Sequence, residues 1–425
     1  MRAPLRSVHF VLLHHGYRGK ATDLEYLWEV SEKMLHSRTV NNVVNNEDVP
    51  PPPTPHRVFI PPQGSDGRST DAGVLDCAHR FIDHVCATVS ATMTKEFGIG
   101  DGQSCASVKA TPAAADGATP ATRCAMHFSA VGHSMGGLVL RATFPTLMER
   151  IENTYGAASQ ACEVHWEAFY TLASPHLGVR YMPSSLVTFL GRRVGHHIWT
   201  AVADLFCKND VVPGYLVSHE SLAAWARFTR RVLLNVVNDG SVLTYSSSFV
   251  VPVHVLERVG ASFSPEEETH TEASSTNRVE SDHPDTDRIV RHLNRLGFLC
   301  ASSLEELRCN GVSVTEVSPD LWPLGVLPEE RALAERILQC VGPLELHFVD
   351  FRPLCARLTS EAPTRKVCGD DRAPKPGLVT RNMMRLGANR FAHSALICQS
   401  PFKYPSVFGF VSEYIAEDLL GIPFN

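Results

Sequence analysis

The chain has 425 residues, of which 44% are hydrophobic and 20% charged, and its formal net charge is −6. This composition is typical of a globular protein with a large core, and the acidic excess excludes the basic field that a nucleic-acid partner requires. The apolar runs, such as Phe10–Leu13, are far too short to span a membrane as a helix.

Apolar runs alternate with stretches of helical periodicity along the chain. The runs predict strands over residues 8–13, 57–60, 124–131, 164–172, 231–237 and 344–351, with a further strand over 250–259. The periodic stretches predict helices over residues 24–35, 74–97, 137–144, 328–338 and 407–420. This order predicts an α/β fold, a single domain over residues 1–425 with a mostly parallel sheet and helices on both faces.

Five segments fall outside this pattern. Polar, proline-rich or acidic composition predicts flexible loop insertions at residues 41–56, 100–123 and 260–287, and residues 359–385 are predicted as a basic loop. Residues 179–230 are helical in pattern and unusually apolar, which predicts a helical lid over a site. An ordinary pair of peripheral helices is the alternative for this last segment.

Twelve cysteines are scattered along the chain without Cys-x-x-Cys spacing. This pattern favours reduced thiols, and so a cytoplasmic location, over a disulfide framework or a zinc site. The sequence has no phosphate-binding loop, no dinucleotide fingerprint and no His-Glu-x-x-His helix. We therefore expect neither a metal nor any other cofactor.

The segment Gly132–Gly136 carries the strongest chemical motif. It reads Gly-His-Ser-Met-Gly and joins an apolar run to a helical stretch, so that Ser134 lies at the tip of a sharp turn. This is the nucleophile turn of an α/β-hydrolase, in which Gly132 and Gly136 avoid collisions with the neighbouring strand and helix. A plain strand-to-helix turn with a serine cap is the alternative.

A serine nucleophile needs a base, and the base needs an acid that orients it. Asp239 follows the strand after the lid segment and is the predicted acid, with an ordinary Asp-Gly turn as the alternative reading. Asp204 and Asp210 are weaker candidates because they fall within the lid.

The order Ser, Asp, His in this fold places the base late in the chain, where His393 is the predicted residue. The rivals His283 and His292 border the acidic loop, and His347 lies inside a strand. His133 is next to Ser134 and is directed elsewhere by the turn, so it is not expected to be the base.

An oxyanion needs backbone donors held in place beforehand. The predicted donors are the N–H groups of Met135 and Tyr17, the latter positioned by His15 and Gly16. Gly132, His133 and Gly136 are expected to support the turn around the nucleophile.

Five segments, in order, resemble the putative serine esterase, lipase-like family of eukaryotic α/β-hydrolases. They are residues 10–19, 131–138, 169–178, 231–242 and 391–397. The resemblance implies a lipid or ester hydrolase with Ser134, Asp239 and His393 as its triad.

The expected function is hydrolysis of carboxylic esters, most readily those of lipids, through an acyl-enzyme. The apolar lid favours long acyl chains, and its residues Trp199, Leu205 and Phe206 suggest peripheral contact with a membrane or lipid droplet. A thioesterase or amidase of the same fold and a catalytically silent scaffold are the alternatives. Sequence alone does not distinguish a thioesterase or an amidase from an esterase.

Overall fold

The computed structural model describes residues 6–45, 56–99, 124–156, 162–180, 199–262, 283–360 and 377–421. The strands are β1 Arg6–His14, β2 His56–Ile60, β3 Cys124–His133, β4 Cys162–Leu172, β5 Arg230–Val236, β6 Cys300–Ala301, β7 Val312–Val314 and β8 Leu344–Val349. The helices before β5 are α1 Glu25–Asn45, α2 Val74–Phe97, α3 Met135–Tyr155, α4 Thr200–Leu205 and α5 His219–Ala226. Those after it are α6 Thr244–Ser247, α7 Val253–Ser262, α8 His283–Arg295, α9 Leu304–Cys309, α10 Pro328–Val341, α11 Arg352–Thr359, α12 Leu378–Asn389, α13 Ala392–Ala395, α14 Pro405–Phe408 and α15 Phe410–Gly421.

Within these ranges the strands form one sheet in the order β2-β1-β3-β4-β5-β8-β6, and β7 pairs with β8. Every pairing is parallel except that of β7. The chain proceeds outward from β1 in both directions, to β2 on one side and to β3 on the other. The carboxyl ends of β1 and β3 are therefore the point where open parallel sheets bind ligands.

Helices cover both faces of the sheet because side chains alternate along each strand. In β1, Phe10 and Leu12 join a core with α2, α3, α5 and α10, whereas Val11 and Leu13 join a core with α1 and α15. The nearly continuous apolar strands of the sequence follow from this two-sided burial. The chain has the α/β-hydrolase fold that its sequence predicts.

The structure corrects several local predictions. Residues 253–262 form helix α7 and not a strand, because Pro252 begins a helix in which its carbonyl accepts the N–H groups of Val255 and Leu256. Residues 378–385 of the predicted basic loop belong to α12, whose buried Met384 and Ala388 pack in the same core as α1 and α15.

The predicted loop insertions also overlap helices at their edges. Helix α1 extends through residues 41–45, and α7 and α8 take up residues 260–262 and 283–287. The remaining parts, 46–55, 100–123, 263–282 and 361–376, lie outside the described residues. Composition is a poor guide to where these helices begin and end, because tertiary packing overrides local helix propensity.

A disulfide joins Cys124 to Cys162. The two residues are the first of β3 and β4 and lie opposite each other in the parallel register, with Cα atoms 4.7 Å apart. This corrects the expectation of reduced thiols alone. The two cysteines are 38 residues apart in the sequence, and no motif predicts their bond. The sheet brings them together, not a local spacing.

Candidate functional site

The turn between β3 and α3 holds Ser134 in a backbone conformation that residues other than glycine rarely adopt, with φ 53° and ψ −127°. A Cβ on Gly132 would lie 2.6 Å from the backbone of α3. A Cβ on Gly136 would overlap the carbonyl oxygen of His14, in β1. Both glycines are required because the turn packs directly against its neighbours, and this packing lifts Ser134 above the carboxyl edge of the sheet.

Asp239 and His393 meet at this edge, although 154 residues separate them. The Nδ1–H of His393 donates to Asp239 Oδ2 at 2.7 Å, and the Asp239 carboxyl group is almost fully buried. The other oxygen, Oδ1, accepts the backbone N–H groups of Ser241 and Val242 at 2.7 and 2.8 Å. The aspartate is thus fixed by its own loop, and it directs Nε2 of His393 away from itself. His393 and Ser134 both line the same cavity.

One side-chain amide and one imidazole anchor the segment that carries His393. Asn238 Nδ2 donates to the carbonyls of Ala388 and Asn389, at the end of α12, at 2.8 and 2.9 Å. His133 Nε2 lies 3.0 Å from the carbonyl oxygen of His393 itself, and the two imidazole rings are 4.6 Å apart. The segment is therefore held both by the loop that carries Asp239 and by the turn that carries Ser134.

The loop after β1 places a fixed peptide beside Ser134. His15 Nδ1 donates to the carbonyl of Gly16 at 2.8 Å, and the N–H of Gly19 donates to the same oxygen at 3.1 Å. This carbonyl and the N–H of Tyr17 belong to one peptide plane, so the two bonds also fix that N–H. A Cβ on Gly16 would lie 2.9 Å from the Cβ of Ser134, which shows how closely the loop approaches.

The N–H of Met135 is the first of helix α3 and has no acceptor within the helix itself. It also lies at the positive end of the helix dipole, directly after Ser134. The two N–H groups predicted as oxyanion donors thus belong to fixed backbone on two neighbouring segments, the loop after β1 and the start of α3.

A buried arginine in α3 connects the elements next to the site. The guanidinium of Arg141, in α3, contacts His176 Nδ1 at 3.2 Å, the carbonyl of Leu216 and the ring of Trp225 at 4.5 Å. No carboxylate in the described part of the chain pairs with it, and burial lowers the pKa of Arg141 to about 9. His176 Nε2 lies 3.2 Å from Thr171 Oγ1, so this group ties the loop after β4 to α3.

A cavity of about 1090 Å³ opens at the carboxyl edge of the sheet and contains Ser134, His133 and His393 in its wall. Its apolar lining residues, named here the apolar arm, are Pro175, Val179, Trp199, Val202, Leu205, Phe206 and Val242. Polar lining residues from 20–25 and 399–403, named here the polar arm, are Lys20, Thr22, Asp23, Glu25, Gln399, Ser400 and Lys403.

The predicted lid segment divides between two places. Residues 199–206 form the apolar wall of the cavity, whereas α5 packs against α3 with Leu222 and Trp225 in the core. Residues 181–198, which carry much of the predicted apolar lid, lie outside the described residues.

The rival residues named from the sequence lie elsewhere. Asp204 accepts the N–H of Val74 at 2.7 Å and caps the start of α2. His292 faces the carbonyl of Val251 at 3.2 Å, and His347 contacts Glu345 at 2.6 Å. His283 begins α8. Asp204, His292 and His347 thus have structural partners away from Ser134.

Among the described residues no group of three or more His, Cys, Asp or Glu side chains has the arrangement of a metal site. In the same ranges no helix is long and apolar enough to cross a membrane.

Comparison with known proteins assigns the chain to a family. A family model described as "Putative serine esterase" matches residues 5–249, more than half of the chain. The chain belongs to this family. The matched range contains Ser134 and Asp239 and ends before His393. The coarse activity that follows is that of a serine hydrolase.

A search of the curated proteins found no match. One similar solved structure is that of the putative cell surface hydrolase from Lactobacillus plantarum WCFS1. It is 12% identical, with 58% of this chain and 76% of that chain covered and a TM-score of 0.25. A TM-score this low supports no argument about the present chain.

The sequence analysis did not find Asn238, Arg141, His176 or the polar arm of the cavity as parts of the site. Asn238 had a local clue, because it precedes the predicted acid in the same turn. Arg141 contacts His176 and Leu216 across 35 and 75 positions of sequence, where no spacing rule applies.

Proposed function

We propose that the protein hydrolyses carboxylic esters of lipids through an acyl-enzyme formed on Ser134. The observation that carries the proposal is the 2.7 Å bond from His393 Nδ1 to Asp239, with His393 and the strained Ser134 in the wall of one cavity. Burial of the Asp239 carboxylate and its two backbone donors support a role in orienting the imidazole.

In the proposed reaction, His393 Nε2 takes the Ser134 hydroxyl proton as Oγ attacks the ester carbonyl. The resulting oxyanion accepts the N–H groups of Met135 and Tyr17. The C–O bond then breaks, and the alcohol leaves with the proton that His393 held. Water, activated by the same imidazole, releases the acid and restores Ser134. Asp239 stabilises the transient imidazolium without taking the proton.

The two arms of the cavity support an amphipathic substrate. The acyl chain fits the apolar arm beside Val202, Leu205 and Phe206, since transfer of each CH₂ from water to such a wall is worth about 0.8 kcal/mol. The polar arm carries both cations and carboxylates, including Lys20 and Asp23, and fits a hydrophilic alcohol portion. We infer that monoacyl esters with a polar head are preferred over fully apolar triacyl esters.

The test is hydrolysis of p-nitrophenyl esters from short to long acyl chains by the wild type and by Ser134→Ala. We expect kcat/KM to increase with chain length and to be lost in the variant, whose fold remains unchanged by circular dichroism. Activity on thioester or amide analogues alone would replace the ester assignment. A wild type that neither hydrolyses these substrates nor reacts with a fluorophosphonate at Ser134 is a scaffold.

The preference for a polar head has its own comparison. Monoacylglycerol and lysophospholipid are expected to be better substrates than triacylglycerol of the same acyl chain at equal detergent concentration. Equal rates would contradict the role given to the polar arm without affecting the triad. Vesicle sedimentation of the full chain tests the membrane contact proposed for the apolar wall.

A further inference from the structure

We infer that His133 is a positioning residue, which holds the base His393 by donating a hydrogen bond from Nε2 to its backbone carbonyl. The inference rests on the proposed function, because it assigns a task in the same reaction. The observation is the distance of 3.0 Å between His133 Nε2 and the His393 carbonyl oxygen, across 260 residues of sequence.

The environment of His133 keeps it in the state that this bond requires. Its side chain is buried, and burial together with the nearby His393 ring lowers the pKa of His133 well below its usual value. The imidazole is therefore neutral and carries one N–H, and an acceptor facing Nε2 places that N–H on Nε2. The other nitrogen, Nδ1, faces the loop at Gly16.

The position of this contact explains its value for the reaction. His133 immediately precedes Ser134, so one residue of the rigid turn holds the backbone of the base directly. The helix that carries the base, α13, has only four residues and cannot fix the imidazole by itself. Asn238 holds the preceding helix end from the acid side. His133 thus sets the distance between nucleophile and base, while Asp239 sets the rotation of the ring.

A neutral His133 also suits the charge that develops. When His393 becomes an imidazolium, its neighbour at 4.6 Å remains uncharged and its N–H remains on the carbonyl. A second positive charge at that distance in a buried site would oppose the proton transfer.

Four variants test the role. Glutamine at this position carries its N–H at about the reach of Nε2, whereas asparagine carries it at about the reach of Nδ1. We therefore compare His133→Gln, His133→Asn and His133→Leu with the wild type. The matched control is His127→Leu, since His127 is a buried histidine of the same strand that pairs with Glu167 at 2.7 Å.

The measured quantities are the rate at which a fluorophosphonate labels Ser134, kcat and KM separately, and Tm. We expect labelling and kcat to decrease about 10- to 100-fold in His133→Asn and His133→Leu, since misplacement by about 1 Å has effects of this size. KM should stay within about twofold. His133→Gln and His127→Leu should label at nearly the wild-type rate.

Wild-type labelling of His133→Leu, or equal loss in folded His133→Gln and His133→Leu, would overturn the inference. If the leucine variant does not fold, the glutamine and asparagine pair decides. A wild type that is not labelled contradicts the proposed function instead. The Nδ1 proton of His393, observed by NMR, then decides separately: its exchange should be faster in His133→Asn than in His133→Gln, and equal exchange would overturn the positioning role.

Discussion

At the scale of single residues, the buried aspartates Asp239 and Asp204 have different partners and different structural tasks. Asp239 holds His393, whereas Asp204 caps helix α2 through the N–H of Val74 and accepts from Asn209 Nδ2 at 2.6 Å. Burial raises the pKa of Asp204. The two carboxylates look alike in the sequence, and only their partners distinguish the catalytic role proposed for Asp239 from the capping role of Asp204.

Replacement by asparagine is expected to separate these contributions. Asp239→Asn should lower kcat by about 10⁴-fold, because the imidazole loses the acceptor that fixes its tautomer. Asp204→Asn should leave kcat within about twofold and lower the free energy of unfolding by about 1 kcal/mol, the usual value of a helix cap. The measurements are ester hydrolysis and urea unfolding. Normal kcat in Asp239→Asn would remove it from the triad.

The glycines of the nucleophile turn give a second test at this scale. In Gly136→Ala the new Cβ would overlap the His14 carbonyl and lie 2.5 Å from that of His15. Backbone on both sides leaves no room for relaxation, so we expect a loss of on the order of 3 kcal/mol in urea unfolding. The control is Gly377→Ala, where nothing lies within 4 Å. A stable Gly136→Ala with full activity would show that the turn is not tightly packed.

At the scale of elements, the short helix α4 forms one wall of the apolar arm. Val202 and Leu205 of this helix face the cavity, while its residue Ala201 is buried in a small core with α2 and α3. A wall anchored in this way does not need to move for its side chains to set the size of the arm.

Substitution on this wall is expected to change chain-length preference. Val202→Phe should shift the best p-nitrophenyl ester to a shorter chain, because the larger side chain fills space that terminal CH₂ groups would occupy. Rates on the shortest ester should remain within about threefold. The control is Leu222→Met in α5, which packs against α3 and away from the cavity. An unchanged chain-length profile would place the acyl chain elsewhere.

How much the sequence predicts also depends on the element. Strands β1 to β5, strand β8 and the turn at Ser134 were predictable because their information is local: apolar runs and glycines at fixed spacing. The very short strands β6 and β7 carry no such run and were not predicted. Helix α12 was not, since its Arg-rich sequence reads as a loop and its apolar side is revealed only by packing. The contact of His133 with His393 carries no sequence pattern at all, because its acceptor is a backbone carbonyl.

At the scale of the whole molecule, the fold buries several histidines in the uncharged form. Burial lowers the pKa of His9, His14, His133 and His176, that of His14 to about 3. The unfolded chain binds protons at these positions below pH ~6.5, whereas the folded chain does not. Their contribution to stability is therefore complete above pH ~6.5 and decreases as the pH falls toward the folded-state values.

The expected result is a steep loss of stability in mild acid. Each such histidine adds a slope of up to about 1.4 kcal/mol per pH unit to the free energy of unfolding. His14→Asn keeps a donor for the His15 carbonyl, which His14 Nδ1 contacts at 2.9 Å, and should reduce the slope by about one proton. Urea unfolding between pH 4.5 and 7, values chosen to bracket this window, measures it. The exposed His36, changed to asparagine, is the control, and an equal slope in both variants would contradict the assignment.

The anchoring of His393 has a consequence for how this protein tolerates change. At Ala388, Asn389 and His393 the contacts from Asn238 and His133 use carbonyl oxygens, which every amino acid possesses. Such contacts impose no side-chain identity on the partner. Substitutions at Ala388 and Asn389 therefore leave these hydrogen bonds available. The His393 imidazole is positioned here through main-chain contacts, and a comparison of side chains does not detect such contacts.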